Sequence, residues 1–320
     1  MRHLGGHPFF VTIAIFQTVF SYCSKTDSIF IEQPIGQQES SVPIPNTLKP
    51  SAPKTIIDSL WKIGEEFSNY YYYDGKKLSA QGIAIIGNNL YRFFERGICE
   101  SFDITNLNEI QRISTFKLGS FSSSNHCNCA QIYITPHKDT LLYLAGMGGK
   151  CYVERINKSG STLLQTITMP ELALFDNAVH LNMICGDKGY LWFFGHSQSK
   201  GTLHFAKALR PNEKHREVEF STNDVKEHWS EEGYEYNKSV WQGGKVYGDY
   251  LYFLFGTQSS HKHISIYNIL THEKENDINL DGLIKEEPED CEIIENLILL
   301  AVNGGKGFYI IRLKEEYDQN

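Results

Sequence analysis

The stretch "EPEDCEIIENLILLAVNGGKGFYIIRLK", residues 287–314, contains three strand-like runs separated by two turns. "CEII", "LILLAV" and "GFYIIRL" are rich in residues that strands favour, and Glu295-Asn296 and a glycine-rich segment lie between them. The middle run is apolar at every position, which is typical of a strand buried on both faces. Three strands alone would leave an unpaired edge, so this unit requires a fourth strand from elsewhere in the chain.

Four other stretches repeat the same pattern of a turn, a leucine, further apolar residues and a glycine-rich turn. They are "NNLYRFFERG", "DTLLYLAGMGGK", "KGYLWFFGHSQSKG" and "GDYLYFLFGTQSS". The equivalent leucines of all five units are spaced 52, 49, 60 and 46 residues apart and are Leu90, Leu142, Leu191, Leu251 and Leu297. Four of the five units also carry a further strand-like run: "RISTFKL", "TLLQTIT", "REVEFS" and "NDINL".

A four-stranded unit repeated about every fifty residues predicts an all-β fold, a five-bladed β-propeller. The inner strands are apolar on both faces because each blade packs between two neighbours, whereas outer strands alternate because one face meets solvent. The segment "TIIDSLWKIG", residues 55–64, is strand-like and belongs to no other unit. We therefore predict that residues 55–320 form the propeller and that this N-terminal strand closes its last blade.

The first 54 residues predict export. Residues 1–23 combine Arg2, an apolar stretch and small or polar residues, as a signal peptide does, and they are too short and interrupted to predict a membrane span. Cys23 is the lipidation site if the segment is a lipoprotein signal, and ordinary cleavage is the alternative. Residues 24–54 are rich in Ser, Pro and Gln and predict a flexible linker. The expected location is the outer surface or the periplasm, with membrane attachment only through a lipid on Cys23.

Charge and cysteine content narrow the classes of partner. A net charge of −8 without a long basic run argues against nucleic-acid binding, which depends on neutralising phosphates. The cysteines after Cys23 form no CxxC pair, which argues against a structural zinc site, and both disulfides and free buried thiols are compatible with the sequence. A metal site would need His126, His180 and a carboxylate such as Glu289 to converge, and no spacing motif supports one, so no metal site is predicted. The sequence identifies no cofactor.

Polar residues stand at the start of every predicted innermost strand. Because these strands surround one axis in a propeller, we expect the residues to meet at one mouth although they lie far apart in sequence. The predicted ligand-binding residues are Gln81, His126, Asn128, His180, Asn182, Gln242 and Glu289. Such a ring can bind a polar ligand, or provide an acid–base pair of Glu289 or Asp290 with a histidine. Alternatively, it joins the blades through hydrogen bonds alone.

The long connection 209–239 contributes a second, weaker set of candidates. "TNDVKEHWSEE" predicts a helical turn capped by Thr222 or Asn223. Trp229, Tyr234 and Tyr236 are expected either to overhang the axial mouth as an aromatic platform or to cover a blade edge.

The polar motifs also resemble those of a known group. The succession Gln81-Gly82, His126-x-Asn128, His180-x-Asn182, Gln242-Gly243 and Glu287-Pro288-Glu289 is similar to the blade starts of five-bladed β-propellers in exported bacterial and phage-associated proteins. The resemblance covers roughly residues 75–314. It implies a cell-surface propeller with these residues around a shared site, and a carbohydrate or phosphodiester ligand. Cys127, Trp241 and Asp290-Cys291 depart from the group's pattern.

The leading functional prediction is a secreted or lipid-anchored propeller that binds a polar ligand, a saccharide or surface glycan, in its axial pocket. One alternative is a hydrolase or lyase that acts on a glycan or phosphodiester through His126 or His180 and Glu289. Acids stand at only one strand start, which argues against a glycosidase because that class uses carboxylates from separate strands. A further alternative is a scaffold whose rim contacts another protein, and the sequence leaves open whether the protein is an enzyme.

Overall fold

The computed structural model describes residues 53–314, apart from 136, 147, 170–178, 186–188, 198–200 and 236–237. The predicted signal peptide, Cys23 and residues 24–52 of the predicted linker lie outside the described residues. Within the described ranges the chain forms 22 strands and two short 3-10 turns, Glu95–Gly97 and Thr222–Asp224. No helix in this part of the chain is long and apolar enough to span a membrane.

The strands form five sheets, each of which is one blade. Blade 5 has the order β1-β22-β21-β20 and consists of β1 (Ile56–Ser68), β20 (Glu287–Ile294), β21 (Leu297–Asn303) and β22 (Lys306–Lys314). Blade 1 consists of β2 (Tyr70–Tyr73), β3 (Lys76–Ile86), β4 (Asn89–Phe94), β5 (Ile98–Asp103) and β6 (Gln111–Lys117). Blade 2 consists of β7 (Ala130–Ile134), β8 (Thr140–Ala145), β9 (Lys150–Asn157), β10 (Gly160–Thr168) and β14 (Glu217–Glu219).

The remaining two blades have four strands each. Blade 3 consists of β11 (Val179–Cys185), β12 (Tyr190–Ser197), β13 (Thr202–Leu209) and β15 (Val225–Glu232). Blade 4 consists of β16 (Trp241–Tyr247), β17 (Tyr250–Phe255), β18 (His263–Asn268) and β19 (Glu273–Asn279). The innermost strands contact one another in the cyclic order β3, β7, β11, β16 and β20, and β20 returns to β3. This closed ring establishes the predicted five-bladed β-propeller.

The N-terminal strand closes the last blade, as predicted. β1 pairs antiparallel with β22, from Ile56 opposite Lys314 to Ser68 opposite Lys306. Glu286 ties the closure together, since it accepts from Lys62 Nζ at 2.7 Å and from the Tyr309 hydroxyl at 2.6 Å. Blade 5 therefore gains the outer strand that residues 287–314 lack, and the edge of β22 is covered.

The outer strand of blade 3 differs from the prediction. "REVEFS" contributes β14, which pairs parallel with β10 and extends blade 2 as a fifth strand. The fourth strand of blade 3 is β15, which pairs with β13 and includes most of the segment predicted as a helical turn. Only Thr222–Asp224 form a 3-10 turn there. Both segments alternate in polarity, so their composition suits an outer strand of either blade and does not determine which.

The core lies between adjacent blades, where apolar residues of the inner and middle strands face each other. Ile63, Ile83, Phe102 and Phe308 share one cluster between blades 5 and 1, for example. The five described cysteine side chains are all buried, and four of them, Cys99, Cys127, Cys129 and Cys291, are free thiols. Of the two arrangements that the sequence allowed, these four cysteines adopt the second, and they act as small apolar residues of the core.

Candidate functional site at the axial mouth

A backbone irregularity marks the predicted site residues in four of the five blades. The pairing of each innermost strand with its neighbour shifts register at Gln81-Gly82, His180-Leu181, Gln242-Gly243 and Glu289. A β-bulge of this kind re-aims side chains and interrupts the ladder, and such bulges recur beside functional sites. In blade 2, Cys127 precedes β7 with a left-handed backbone, φ 61°. In these four blades the polar sequence motif and the backbone bulge therefore lie at the same position, near the start of the innermost strand.

Two glycines in these motifs allow the inner strands to approach closely. A Cβ at Gly82 would lie 2.6 Å from the Cys127 carbonyl oxygen of the next blade. A Cβ at Gly243 would lie 2.5 Å from the Glu289 carbonyl oxygen and 2.9 Å from that of Asn128. Since Asn128 and Glu289 belong to two different blades, the backbones of three blades converge at Gly243. Glycine is required there because any side chain would displace backbone atoms.

Charged side chains fill the axis directly below this level. Asp290 Oδ2 accepts hydrogen bonds from Ile83 N–H and Ala130 N–H, both at 3.1 Å, and so joins blade 5 to blades 1 and 2. Lys245 of blade 4 donates to Glu292 of blade 5, and its Nζ is 3.4 Å from the Ala130 carbonyl oxygen of blade 2. We call Lys245, Asp290 and Glu292 the axial plug. These three side chains connect blades 1, 2, 4 and 5 around the axis.

The axial plug has perturbed protonation. Burial alone would lower the pKa of Lys245, but the carboxylates of Glu292 and Asp290 outweigh burial and raise it, so the ammonium form is favoured. Burial raises the pKa of Asp290 well above its usual range, and Lys245 only partly opposes this. One lysine cannot compensate two fully buried carboxylates, so the plug favours one neutral acid.

The mouth above the plug is acidic and polar. Gln242 Nε2 donates to Glu287 Oε1 at 2.8 Å and to the Gly256 carbonyl oxygen at 3.0 Å. Glu289 is 3% exposed, and burial, followed by the neighbouring charge of Glu287, raises its pKa well above the usual range. Glu289 therefore keeps its proton to a higher pH than an ordinary carboxyl group, and in the protonated form it both donates and accepts hydrogen bonds.

His126 stands at the rim of the same mouth. Its Nδ1 lies 3.6 Å from Glu95 Oε1, and both side chains are one third exposed. Burial lowers the pKa of His126, although the charge of Glu95 opposes the shift. Glu95 also contributes to the raised pKa of Glu289. The charge of Glu95 therefore affects the pKa of both His126, which precedes β7 of blade 2, and Glu289 of blade 5.

Two amides at this level have unused acceptors. Gln81 is 3% exposed, and its Oε1 is buried without a hydrogen-bond partner within the described part of the chain. Asn128 Oδ1 is likewise buried without a partner among those residues. A buried acceptor without a partner costs about 1–3 kcal/mol, so a donor that reaches these atoms would bind with a gain.

The predicted site residues thus fall into three groups. Gln242, Glu289 and Asn128 meet around Gly243, while Gln81 and His126 lie at the same level on blade 1 and before β7. His180 and Asn182 lie on β11, but their side chains fall outside the described residues.

Sequence reasoning missed three charged members of this region: Lys245, Glu292 and Glu95. Lys245 and Glu292 are charged residues inside short apolar inner strands, "WQGGKVY" and "EPEDCEII", and that contrast was the available signal. Glu95 sits in a turn that no strand pattern singled out.

Neither the aromatic platform nor a metal centre is found in the described part of the mouth. Trp229 stacks on Phe205 at 5.0 Å and on His272 at 4.4 Å, so it covers the outer edge between blades 3 and 4. Tyr234 lines a separate cavity between the same blades, and Tyr236 lies outside the described residues. The described side chains include no group of three or more His, Cys, Asp or Glu that could hold a metal ion.

Comparisons with known proteins find low similarity to solved structures. No protein-family model matches the chain, and no curated protein matches it by sequence. The tail fiber of Staphylococcus aureus phage P68 is 17% identical with a TM-score of 0.47, and the match covers 81% of this chain but only 54% of the tail fiber. A Bacteroides thetaiotaomicron protein of unknown function is 14% identical with a TM-score of 0.44 over 80% of this chain and 76% of that one.

The β-propeller domain of Vanderwaltozyma polyspora Nup133 is 11% identical with a TM-score of 0.39 over 76% of this chain and 72% of that one. These values are too low to support any argument about fold or function. The five sheets and their closed inner ring are therefore what identify the chain as a five-bladed β-propeller.

Proposed function

We propose that the axial mouth binds a neutral, polyhydroxylated ligand of the saccharide class. The observation that carries this proposal is the pair of buried acceptors without partners among the described residues, Gln81 Oε1 and Asn128 Oδ1, together with the buried acid Glu289 at the start of another innermost strand. Sugar hydroxyl groups donate and accept at the same time, so they complement amide oxygens and a neutral carboxylic acid together. A ligand that only accepts hydrogen bonds would leave the two amide oxygens without partners.

The charge of the mouth supports a neutral ligand over an anionic one. Glu95, Glu287 and Glu289 contribute carboxyl groups, and the ammonium of Lys245 already donates to Glu292 in the axial plug. A phosphodiester would bring further negative charge to this acidic site, which Coulomb repulsion disfavours. Of the two ligand classes that the sequence resemblance implies, the mouth therefore favours the carbohydrate.

An array that carries neutral glycans beside their phosphorylated or sulfated counterparts tests this proposal. We expect binding to neutral glycans and weaker binding to the anionic ones. Gln81→Ala should weaken binding about fivefold, since one hydrogen bond of about 1 kcal/mol is lost, while the matched control Gln111→Ala on exposed β6 should bind normally. Preferential binding of the anionic glycans, or equal binding by Gln81→Ala and wild type, would contradict the proposal.

A second candidate function, hydrolysis or elimination on the same glycan, is favoured by the opposite pKa shifts of Glu289 and His126. The raised pKa of Glu289 favours its acid form and the lowered pKa of His126 favours its base form, and acid–base catalysis uses one group of each kind. Glu95 also adds a carboxylate from a blade other than that of Glu289, which removes the sequence-based objection to a glycosidase.

Mass spectrometry of a bound neutral glycan after incubation separates the two functions. For an enzyme, wild type releases shorter products, whereas Glu289→Gln binds the glycan and releases none. A wild-type protein that binds the glycan and leaves it intact is a binding module.

A further inference from the structure

A second cavity, separate from the axis, lies between blades 3 and 4. Its volume is about 260 Å³, and its walls come from β13, β15, β17, β18, β19 and the loop after β15. This volume is slightly below the roughly 300–1,000 Å³ of typical small-molecule sites, so it suits a single small ring. We call it the interblade cavity.

One wall of the interblade cavity is aromatic. The rings of Phe255 and His263 stack at 4.7 Å with an interplanar angle of 9°, and His261 continues the stack at 4.6 Å from His263. The ring centroid of Tyr234 lies 6.1 Å from that of Phe255, and Tyr234 contributes a further ring to the lining. Because Phe255 and His261 already stack on the His263 ring, Tyr234 and the remaining face of Phe255 are the aromatic surfaces against which the apolar face of a ring-shaped ligand can pack.

Two polar atoms in the lining have no partner within the described residues. His263 is 9% exposed, and its buried Nδ1 makes no hydrogen bond there. The Oγ of Ser239 is also buried and makes no hydrogen bond within the described residues. Burial lowers the pKa of His263 to about 4, so its ring is neutral at physiological pH and offers one donor and one acceptor nitrogen.

The charged residues of the interblade cavity are already paired. The Tyr267 hydroxyl donates to Glu231 Oε2 at 2.5 Å, and Lys274 Nζ lies 3.5 Å from Glu231 Oε1. Lys238 pairs with Glu235 at 2.8 Å at the rim. Because these charges neutralise each other, Ser239 and His263 present neutral hydrogen-bonding groups to a ligand, and no unpaired cation is offered to an anion.

We propose that the interblade cavity binds one neutral sugar ring, with the ring face against the aromatic wall and its hydroxyl groups on Ser239 Oγ and His263 Nδ1. The site is separate from the axial mouth, and its occupancy does not depend on the function proposed for that mouth.

Proton–nitrogen correlation spectra of protein labelled with ¹⁵N-histidine test the proposal, with D-glucose, D-galactose and N-acetyl-D-glucosamine as probes. We expect at least one of these sugars to shift the His263 ring resonances in a saturable manner. Ser239→Ala should weaken this binding about five- to tenfold, whereas the matched control Ser123→Ala, in an exposed loop of blade 1, should not change it. Glu289→Gln should also leave it unchanged.

His263→Phe provides a second variant, because it retains the aromatic stack and removes Nδ1, and saturation-transfer spectra of the sugar then report binding. The proposal is overturned if no probe sugar shifts the His263 resonances. It is equally overturned if Ser239→Ala and His263→Phe bind as well as wild type. Loss of the His263 shift in Glu289→Gln would assign the sugar to the axial mouth, and thus reject the separate site while sparing the function proposed there.

Discussion

Closure of the ring by β1 predicts that a single truncation in that strand lowers the stability of the whole domain. Ile63 is 5% exposed and packs in the cluster shared by blades 5 and 1, with Phe308 on one side and Ile83 and Phe102 on the other. The Ile63 carbonyl oxygen also lies 2.3 Å from where a Cβ of Gly307 would stand, so β1 is held tightly against β22.

The expected magnitude follows from the buried side chain. Isoleucine-to-alanine changes in cores cost about 2–5 kcal/mol, and we expect about 3 kcal/mol for Ile63→Ala because the site borders two blades that cannot collapse independently. A domain of this size loses roughly 2–4 °C of Tm per kcal/mol, so the Tm should fall by about 6–12 °C. Ile113→Ala on outer strand β6, where the side chain is 42% exposed, should change stability by no more than about 0.5 kcal/mol.

Thermal unfolding followed by circular dichroism and by calorimetry measures both variants. One cooperative transition at lower temperature is expected for Ile63→Ala, because β1 belongs to the ring. The reasoning is refuted if Ile63→Ala and Ile113→Ala shift the Tm equally. It is also refuted if β1 detaches in a separate low-temperature step while the main transition stays in place.

Three further changes test the axial geometry. Gly243→Ala should cost about 1–3 kcal/mol in urea unfolding because its Cβ would meet backbone oxygens, whereas Gly160→Ala, which meets nothing within 4 Å, should be neutral or slightly stabilising. Lys245→Met should cost about 3–5 kcal/mol because it leaves buried carboxylates uncompensated, and exposed Lys306→Met should cost almost nothing. For Glu289, whose folded pKa is raised, stability falls as pH rises from the ordinary carboxyl pKa of about 4.3 towards the folded value. The Tm of Glu289→Gln should therefore rise relative to wild type between pH 5 and pH 8, and a constant difference across that range would contradict the assigned shift.

The sequence predicts the ring because its signals are local. Leucines such as Leu90 and Leu251 recur with their glycine turns because each blade needs the same buried middle strand. Residues 55–64 formed a strand-like segment that belonged to none of these units. The outer strand of blade 3 was predicted incorrectly because solvated strands alternate in polarity wherever they pair. β14 accordingly joins β10 of the preceding blade rather than β13.

The polar mouth was predicted in part for the same reason. Gln242 and Glu289 belong to short motifs that are visible in the sequence, and the β-bulges of their strands lie at these motifs. The axial plug was not predicted, because the partners of Lys245 and Asp290 come from blades that are far apart in sequence. Ala130, for example, meets both residues across the axis. Such contacts depend on the way five separate sheets converge, and no single segment encodes them.

The axial plug determines how a long molecule can approach the mouth. Since Lys245, Asp290 and Glu292 bridge blades 1, 2, 4 and 5 near Gly243, we expect them to block the passage of a polymer along the axis. A polysaccharide would have to present its terminal residue, or an outward bend, to the opening from a single side. Recognition there would favour chain ends and branch points over the uninterrupted backbone of the polymer.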